Sequence, residues 1–137
     1  MAGLFDRDIT LLERSLEFRA RRNALLAGNV ANIETPGYKA KDLVFEQALG
    51  DALKAQEPSP LVTTHPRHMD GRDHTPLELV QPRTILSANP VGSVDGNSVQ
   101  LEHEMAKLAE NQIAYQALAQ MITHKFLQLR TVIREGE

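Results

Sequence analysis

The feature that most restricts the fold of this chain is a long apolar repeat close to its C-terminus. Ten positions between residues 101 and 133 follow one another at alternating steps of four and three residues. They are Leu101, Met105, Leu108, Gln112, Tyr115, Ala119, Ile122, Phe126, Leu129 and Ile133. A mean spacing of about 3.5 residues keeps side chains on one side of a helix that packs against another helix. We therefore predict a C-terminal helix of about 36 residues within residues 98–137, about 54 Å long.

Residues around this repeat have the chemistry of helix ends. Asn97 is a plausible N-cap, and Glu102 and Glu104 suit the positive N-terminal end of a helix. Arg134 suits the negative C-terminal end. We therefore interpret Glu102 and Glu104 as solvated charges of a helix terminus and not as a pair of catalytic acids.

A second apolar repeat with the same alternation begins near the N-terminus. Its apolar members are Phe5, Ile9, Leu12, Leu16, Leu26, Val30 and Ile33. A neighbouring row recurs every seven residues and contains Leu4, Leu11, Phe18 and Leu25. These rows predict an N-terminal helix of about 28 residues within residues 1–35, about 42 Å long.

Polar and small residues interrupt the first repeat. Arg19 and Asn23 occupy positions that the alternation assigns to the apolar stripe. Buried polar residues in such a stripe fix register and partner choice, whereas exposed ones simply face solvent. We favour the first interpretation for Arg19 and Asn23. Gly28 is a separate signal, because glycine inside a helix costs about 1 kcal/mol of helix stability relative to alanine. We take it to indicate close approach of another backbone.

The middle region, residues 36–97, has a different composition. Six of the seven prolines lie between Pro58 and Pro90. Before them, residues 42–56 predict a short helix with Asp42 as its cap. Extended pieces are expected around residues 61–64, 77–81 and 84–87, and Pro82 excludes a central strand there.

Together these patterns predict a mainly α fold. The two long terminal helices pair as an antiparallel, coiled-coil-like hairpin, and a short helix and a Pro/Gly-rich, partly extended loop lie between them. The predicted helix-packing residues are Leu12, Leu16, Leu26, Val30, Met105, Leu108, Tyr115, Ile122, Phe126 and Leu129. Because each helix carries more apolar rows than one helix–helix contact covers, we also expect neighbouring molecules to bury the surplus.

A specific turn follows the first helix in the stretch "ANIETPGYKAKD", residues 31–42. Thr35 precedes proline and is pushed out of the α region, so the helix ends by that point. Pro36 and Gly37 suit the central pair of a type II turn, with Gly37 at positive φ. Asn29 and Asn32 have side-chain amides that either cap their own helix or reach across to the next subunit.

Charge and composition exclude several classes of protein. The chain has 15 Lys+Arg and 18 Asp+Glu, a net charge of -3, and so lacks the basic excess of a nucleic-acid-binding protein. It has no cysteine, which excludes disulfides and thiolate sites. No window is apolar enough for a membrane span, and the acidic N-terminal residues argue against a cleavable signal peptide.

One cluster resembles a metal site. The loop "HPRHMDGRDH" contains His65, His68, Asp70, Asp73 and His74. Two histidines three residues apart could bind zinc, but no rigid helix fixes their geometry, and a polar loop is the better interpretation. His103 and His124 have no ligand-like spacing. We therefore predict no metal, no cofactor and no catalytic residue, and we do not expect an enzyme.

The residues of the turn resemble those of a known family. "ANIETPGYKAKD" is similar to the ANxxTPGY motif of bacterial flagellar axial proteins, which comprise rod, hook and hook-associated proteins. The continuation "TPGYKAKDLVFEQAL", the segment "DGNSVQLEHEMAKLAENQIAYQAL" and the short length resemble proximal rod members. The resemblance covers about residues 1–55 and 92–135. It implies an assembly motif formed by Asn29, Asn32, Thr35, Pro36, Gly37 and Tyr38.

The resemblance implies a non-enzymatic structural subunit. Such a subunit is exported unfolded through the flagellar type III apparatus without signal cleavage, and it assembles in the periplasm-spanning rod of the basal body. Its terminal helices would form the inner coiled-coil layer. Expected partners are copies of itself, other rod proteins and the basal-body component FliE.

The alternatives to this function are another rod paralogue, a stand-alone helical adaptor or chaperone, and a metalloenzyme using His65 and His68.

Overall fold

The computed structural model describes residues 4–55, 75–87, 94 and 96–135, with only the backbone of residues 4–6. Its elements are α1 (Leu4–Ala31), β1 (Lys41–Val44), α2 (Glu46–Ala55), a single 3₁₀ turn (Leu77–Leu79), β2 (Arg83–Leu86) and α3 (Leu101–Glu135). The predicted mainly α class, with two long terminal helices and a short one between them, is confirmed. The predicted strand piece near 61–64 lies outside the described residues.

The two long helices form an antiparallel hairpin. Along it, residues of α1 that lie nearer its C-terminus contact residues of α3 that lie nearer its N-terminus. Side-chain bonds join Asn29 to Glu104, Arg19 to Asn111, and Asp8 to Lys125. Three polar contacts spaced along the helices hold one register, because hydrogen bonds need defined distances and directions.

A strand replaces the first turn of the predicted short helix. β1 pairs with β2 in an antiparallel ladder that places Lys41 opposite Leu86 and Val44 opposite Arg83. The prediction that Asp42 caps a helix is therefore wrong, since Asp42 lies inside β1 and α2 begins only at Glu46. The extended piece expected near residues 84–87 is confirmed as β2, which follows Pro82 as an edge strand.

The middle region covers one face of α1. The buried cluster consists of Phe18, Leu43, Phe45, Leu49, Ala52, Leu77 and Val80, with Leu11, Leu25 and Leu53 packed against it. In the row of α1 that recurs every seven residues, Leu11, Phe18 and Leu25 therefore face β1, α2 and the 3₁₀ turn. Our expectation that neighbouring molecules bury the surplus of this helix is therefore wrong for Phe18, because the chain itself buries that side chain.

α3 is rotated relative to the predicted packing face. Its buried and half-buried positions include a second alternating series, namely Glu104, Leu108, Asn111, Tyr115, Leu118, Ile122, Lys125 and Leu129. This series lies three residues after the predicted one, which on a helix corresponds to a rotation of about 60°. The outer stripe, which we define as Leu101, Met105, Phe126 and Ile133, is exposed.

Candidate functional site

The turn after α1 is exposed and has the predicted shape. Gly37 adopts φ 72°, and the Tyr38 N–H donates to the Thr35 carbonyl oxygen at 3.3 Å. A positive φ at the third residue of the turn, together with this hydrogen bond, agrees with a type II turn. Thr35, Pro36 and Gly37 are all exposed, so the turn is a surface feature of the chain.

Asn29 is the centre of the buried polar contacts beneath this turn, and its exposed fraction is 0 %. Its amide nitrogen donates to the Lys41 carbonyl oxygen at 2.7 Å and to Glu104 Oε2 at 2.7 Å. Its oxygen accepts from the Lys41 N–H at 3.0 Å and from the Tyr38 hydroxyl at 3.3 Å. One side chain thus joins the end of α1 to the start of β1 and to α3.

Asn32 has a local role. Its amide donates to the Gly28 carbonyl oxygen at 2.8 Å, and its oxygen accepts from the Thr35 hydroxyl at 3.1 Å. Within this chain Asn32 therefore caps its own helix, whereas Asn29 reaches across the hairpin. Within residues 4–55, 75–87, 94 and 96–135, the expected backbone approach at Gly28 is not present, because a Cβ built there would meet nothing within 4 Å.

A buried charge cluster lies beside Asn29. Arg22 donates to Asp42 at 2.7 and 3.0 Å, and Lys107 Nζ lies 3.6 Å from Asp42 and 3.3 Å from Glu104. Glu104 is only 2 % exposed. Our interpretation of Glu104 as a solvated terminus charge is therefore wrong. Two carboxylates and two cations neutralise one another here, as buried charges require.

The Arg22–Asp42 pair shifts the pKa of both groups. Burial of Asp42 opposes ionisation, but the hydrogen bonds from Arg22 and from the Leu43 N–H, with the charges of Arg22 and Lys107, outweigh it. The pKa of the Asp42 carboxyl therefore lies below its ordinary value. The hydrogen bond to Asp42 raises the pKa of Arg22, although burial opposes this.

Asp42→Asn should lower the free energy of unfolding at neutral pH by about 1–3 kcal/mol, because Arg22 loses its charged partner. A carboxyl whose pKa is lowered on folding stabilises the native state above its unfolded pKa of about 3.9, and this contribution is lost as pH falls through the folded pKa. Urea denaturation from about pH 7 to pH 3 should therefore show a weaker acid dependence in Asp42→Asn. The exposed Asp51→Asn is the control, and parallel pH profiles of Asp42→Asn and wild type would contradict the assignment.

The predicted helix-packing residues differ in burial. Leu26 is fully buried, and seven others are half-buried, namely Leu12, Leu16, Val30, Leu108, Tyr115, Ile122 and Leu129. Met105 and Phe126 are 56 % and 53 % exposed. These two do not pack within the chain, so their packing role stays a prediction for a contact with another molecule.

An apolar groove lies beside the hairpin, between α1, α2 and α3. It has a volume of about 550 Å³, and its lining includes Leu12, Phe45, Leu49, Leu118 and Met121. The lining carries few groups that could do chemistry.

Among residues 4–55, 75–87, 94 and 96–135, no set of three or more His, Cys, Asp and Glu side chains could hold a metal ion. The histidine-rich cluster, His65 to His74, lies outside the described residues.

No helix in the described part of the chain is long and apolar enough to cross a lipid bilayer.

Sequence reasoning missed the polar residues that hold the site together. Arg22, Asp42 and Glu104 come from three elements, and no local pattern connects them. Arg19 was the one usable signal, since a polar residue at an apolar stripe position predicted a contact that fixes register. It donates to Asn111 Oδ1 at 3.3 Å, and the Asn111 amide donates to the Arg19 carbonyl oxygen at 2.9 Å.

Comparison with known proteins identifies similar chains over almost the full length. No family model matches. The protein of Bacillus subtilis named flagellar basal body rod protein FlgB is 35 % identical over 135 residues, covering 98 % of this chain and 99 % of the relative. The protein of that name from Aeromonas hydrophila is 33 % identical over 125 residues, covering 91 % of both chains. The one from Escherichia coli is 27 % identical over 141 residues, covering 99 % of each.

This chain therefore belongs to the family of flagellar basal body rod proteins FlgB.

Proposed function

We propose that this member of the FlgB family is a structural subunit of the flagellar basal-body rod and assembles through its terminal helices into the proximal rod. The observation that carries the proposal is the outer stripe of α3. Its four residues are between 37 % and 69 % exposed and extend over residues 101–133, about 48 Å of helix. Exposed large apolar residues that recur on one side of a helix are typical of a surface that binds another protein.

The hairpin supports this role because polar side chains lie among its apolar inner contacts. Asn29, Glu104, Arg19 and Asn111 join α1 to α3, while apolar side chains of α3 point outward. Polar inner contacts define the register of the hairpin. Apolar outer residues remain free to pack with neighbouring subunits, where burial stabilises by about 25 cal/mol per Å².

The finer aspects of the proposal follow from the family resemblance. The partners are copies of this chain, other rod proteins and the basal-body component FliE. The chain reaches the rod through the flagellar type III export apparatus without cleavage of a signal peptide, and it acts in the part of the basal body that spans the periplasm. Absence of cysteine suits such a route, because the chain crosses between compartments of different redox state.

We propose that the subunit is organised in the three segments that the sequence predicts. Residues 1–35 and 98–137 provide the helical core, and residues 36–97 provide the turn, the short helix and the irregular middle region. The turn formed by Thr35, Pro36, Gly37 and Tyr38, with Asn29 and Asn32 behind it, serves as the assembly motif. A stand-alone adaptor, another rod paralogue and a metalloenzyme using His65 and His68 are not favoured, because the similar proteins share one rod-protein name.

Phe126→Asp tests the outer stripe. We expect this variant to abolish rod assembly and motility, because a charge would be buried in an apolar contact between subunits. The isolated chain should keep its helix content, since Phe126 is already exposed. Motility of a strain that carries only the variant, together with its presence in purified basal bodies, measures the effect. Leu108→Asp should also block assembly, but it would disturb the hairpin as well.

Two controls accompany this experiment. Ala106→Asp places the same charge on an exposed part of α3 outside the outer stripe, and His68→Ala changes the histidine cluster. Both variants should assemble. Normal motility with Phe126→Asp would contradict the role of the stripe, and absence of the wild-type chain from purified basal bodies would contradict the proposed function.

A further inference from the structure

The C-terminus of α1 is capped locally by the Asn32 amide and by the N–H groups of Asn32 and Ile33, and not by a glycine. Many helices end with a glycine at positive φ directly after the last turn, which lets the backbone satisfy its own final carbonyls. Here, among the described residues, only Gly37 and Gly96 have positive φ, and Gly37 lies six residues after Ala31. Between Ala31 and Gly37, the Asn32 carbonyl oxygen accepts from the Thr35 N–H at 3.0 Å and the Thr35 carbonyl oxygen accepts from the Tyr38 N–H at 3.3 Å. A carbonyl oxygen has two lone pairs, so each of these groups can accept a second hydrogen bond.

Asn97 adds donors to this segment from a distant part of the chain. Its amide nitrogen lies 3.0 Å from the Asn32 carbonyl oxygen, 2.7 Å from that of Ile33 and 2.9 Å from that of Thr35. Its side-chain oxygen accepts from the Val99 N–H at 2.8 Å. Asn97 is 4 % exposed, so water does not replace these bonds. Our prediction that Asn97 is the N-cap of the C-terminal helix is wrong, because α3 begins only at Leu101 and the Asn97 side chain bonds Val99 and the three carbonyl groups.

Neighbours of Asn97 bind the residues that leave the turn. The Ser98 N–H donates to the Tyr38 carbonyl oxygen at 3.1 Å, and the Ser98 hydroxyl accepts from the Ala40 N–H at 2.9 Å. Lys39 Nζ donates to the Gly96 carbonyl oxygen at 2.7 Å. Residues 96–98, which precede α3, therefore contact the chain on both sides of Gly37.

We propose that Asn97 is the positioning residue of the assembly turn, so that the turn takes its final shape only when the segment before α3 has docked. The reason is sequence distance, since 62 to 65 residues separate Asn97 from its carbonyl partners. Closing so long a loop costs conformational entropy that the pairing of α1 with α3 offsets. The exposed Thr35–Gly37 surface is rigid in a completed hairpin and loose in an incomplete one.

This inference rests on the proposed function only in calling the turn an assembly element. If the turn contacts other subunits, then its dependence on Asn97 prevents a chain whose α3 has not docked from presenting a finished contact surface. The contacts of Asn97 with the turn lie within the single chain, so they are tested without partners.

Asn97→Asp distinguishes the donor function of the Asn97 amide from its acceptor function. The carboxylate keeps the acceptor for the Val99 N–H but removes both donor hydrogens and places a negative charge against three carbonyl oxygens. In hydrogen–deuterium exchange of the full-length chain, we expect the amides of Thr35, Tyr38 and Ala40 to exchange about tenfold faster or more, since their bonds open with the turn. Amides in the middle of α1 and α3 should be unchanged.

Asn97→Ala provides the readout that a general packing role would not produce. Alanine removes donors and acceptor together, so Val99 should exchange faster in Asn97→Ala and stay protected in Asn97→Asp. The matched control is Asn23→Asp, the same change at a half-buried position of α1 away from the turn. It should leave exchange at Thr35 and Tyr38 unaltered.

Three results would overturn the inference: unchanged exchange at the turn in Asn97→Asp, a uniform acceleration along both long helices, or equal acceleration of Val99 in both Asn97 variants. Complementation separates this inference from the proposed function. A strain that lacks its own FlgB and does not regain motility with the wild-type chain would argue against the proposed function, whereas the exchange data would still decide the role of Asn97.

Discussion

Phe18→Ala is expected to destabilise the chain by about 3–5 kcal/mol, as is usual for removing a buried phenylalanine ring. Phe18 has an exposed fraction of 0 %, and its ring centroid lies 5.4 Å from that of Phe45. The Arg14 guanidinium carbon lies 4.7 Å from the centroid of the Phe18 ring. Removing the ring leaves a cavity where α1 meets β1 and α2, and about 3–5 kcal/mol is a large part of the stability of a small domain.

Urea denaturation followed by far-ultraviolet circular dichroism measures this effect. Phe126→Ala is the matched control, because it removes the same side chain from the outer stripe of α3. There we expect a change of about 0.5 kcal/mol or less in the isolated chain, as is typical of surface positions. Equal destabilisation by Phe18→Ala and Phe126→Ala would show that the outer stripe is buried in the isolated chain, contrary to the structure.

Asn29→Asp is the second change with a large expected effect, also about 3–5 kcal/mol, the range for breaking a buried charged interaction. The substitution removes both amide donors, which now bind the Lys41 carbonyl oxygen and Glu104 Oε2 at 2.7 Å each. It also places a second carboxylate next to Glu104, and Lys107 cannot neutralise both. The hairpin therefore loses its polar contact nearest to the turn.

Asn32→Asp makes the same chemical change three residues later in the motif. Because Asn32 is only half-buried and caps the Gly28 carbonyl oxygen, we expect a loss of about 0.5–2 kcal/mol, the range for a helix cap. Denaturation curves of the two variants under identical conditions provide the comparison. Equal losses would mean that Asn29 acts only as a local cap and that its contact with Glu104 does not stabilise the hairpin.

The long helices could be predicted because their signals are local. α1 has the expected 28 residues and α3 has 35 where about 36 were predicted. The type of turn at Gly37 was equally accessible, since a proline followed by a glycine favours a type II turn through local restrictions on φ, although the contacts that hold the turn in place come from Asn97. Asp42 shows the limit of such signals, because cross-strand pairing with residues far along the chain places it in β1 and not at a helix start.

The orientation of α3 about its axis was beyond sequence reasoning. Both the predicted series and the observed inner series alternate by four and three residues, and they share Leu108, Tyr115, Ile122 and Leu129. Apolar content alone favours the series that contains Met105 and Phe126. Contacts of Glu104 with Asn29 and of Asn111 with Arg19 turn the other series inward, and only the opposite helix reveals those partners.

The sequence by itself determined where the long helices run, where the first of them ends and which family the chain resembles, because these depend on spacing and on restrictions within a few residues. The tertiary structure decided which side of α3 faces inward, that Glu104 is buried and that Asn97 binds the carbonyl groups of the turn segment after α1. Each of these depends on polar groups far apart in the chain that bond only once the hairpin closes, and hydrogen bonding between such groups leaves no periodic trace in the sequence.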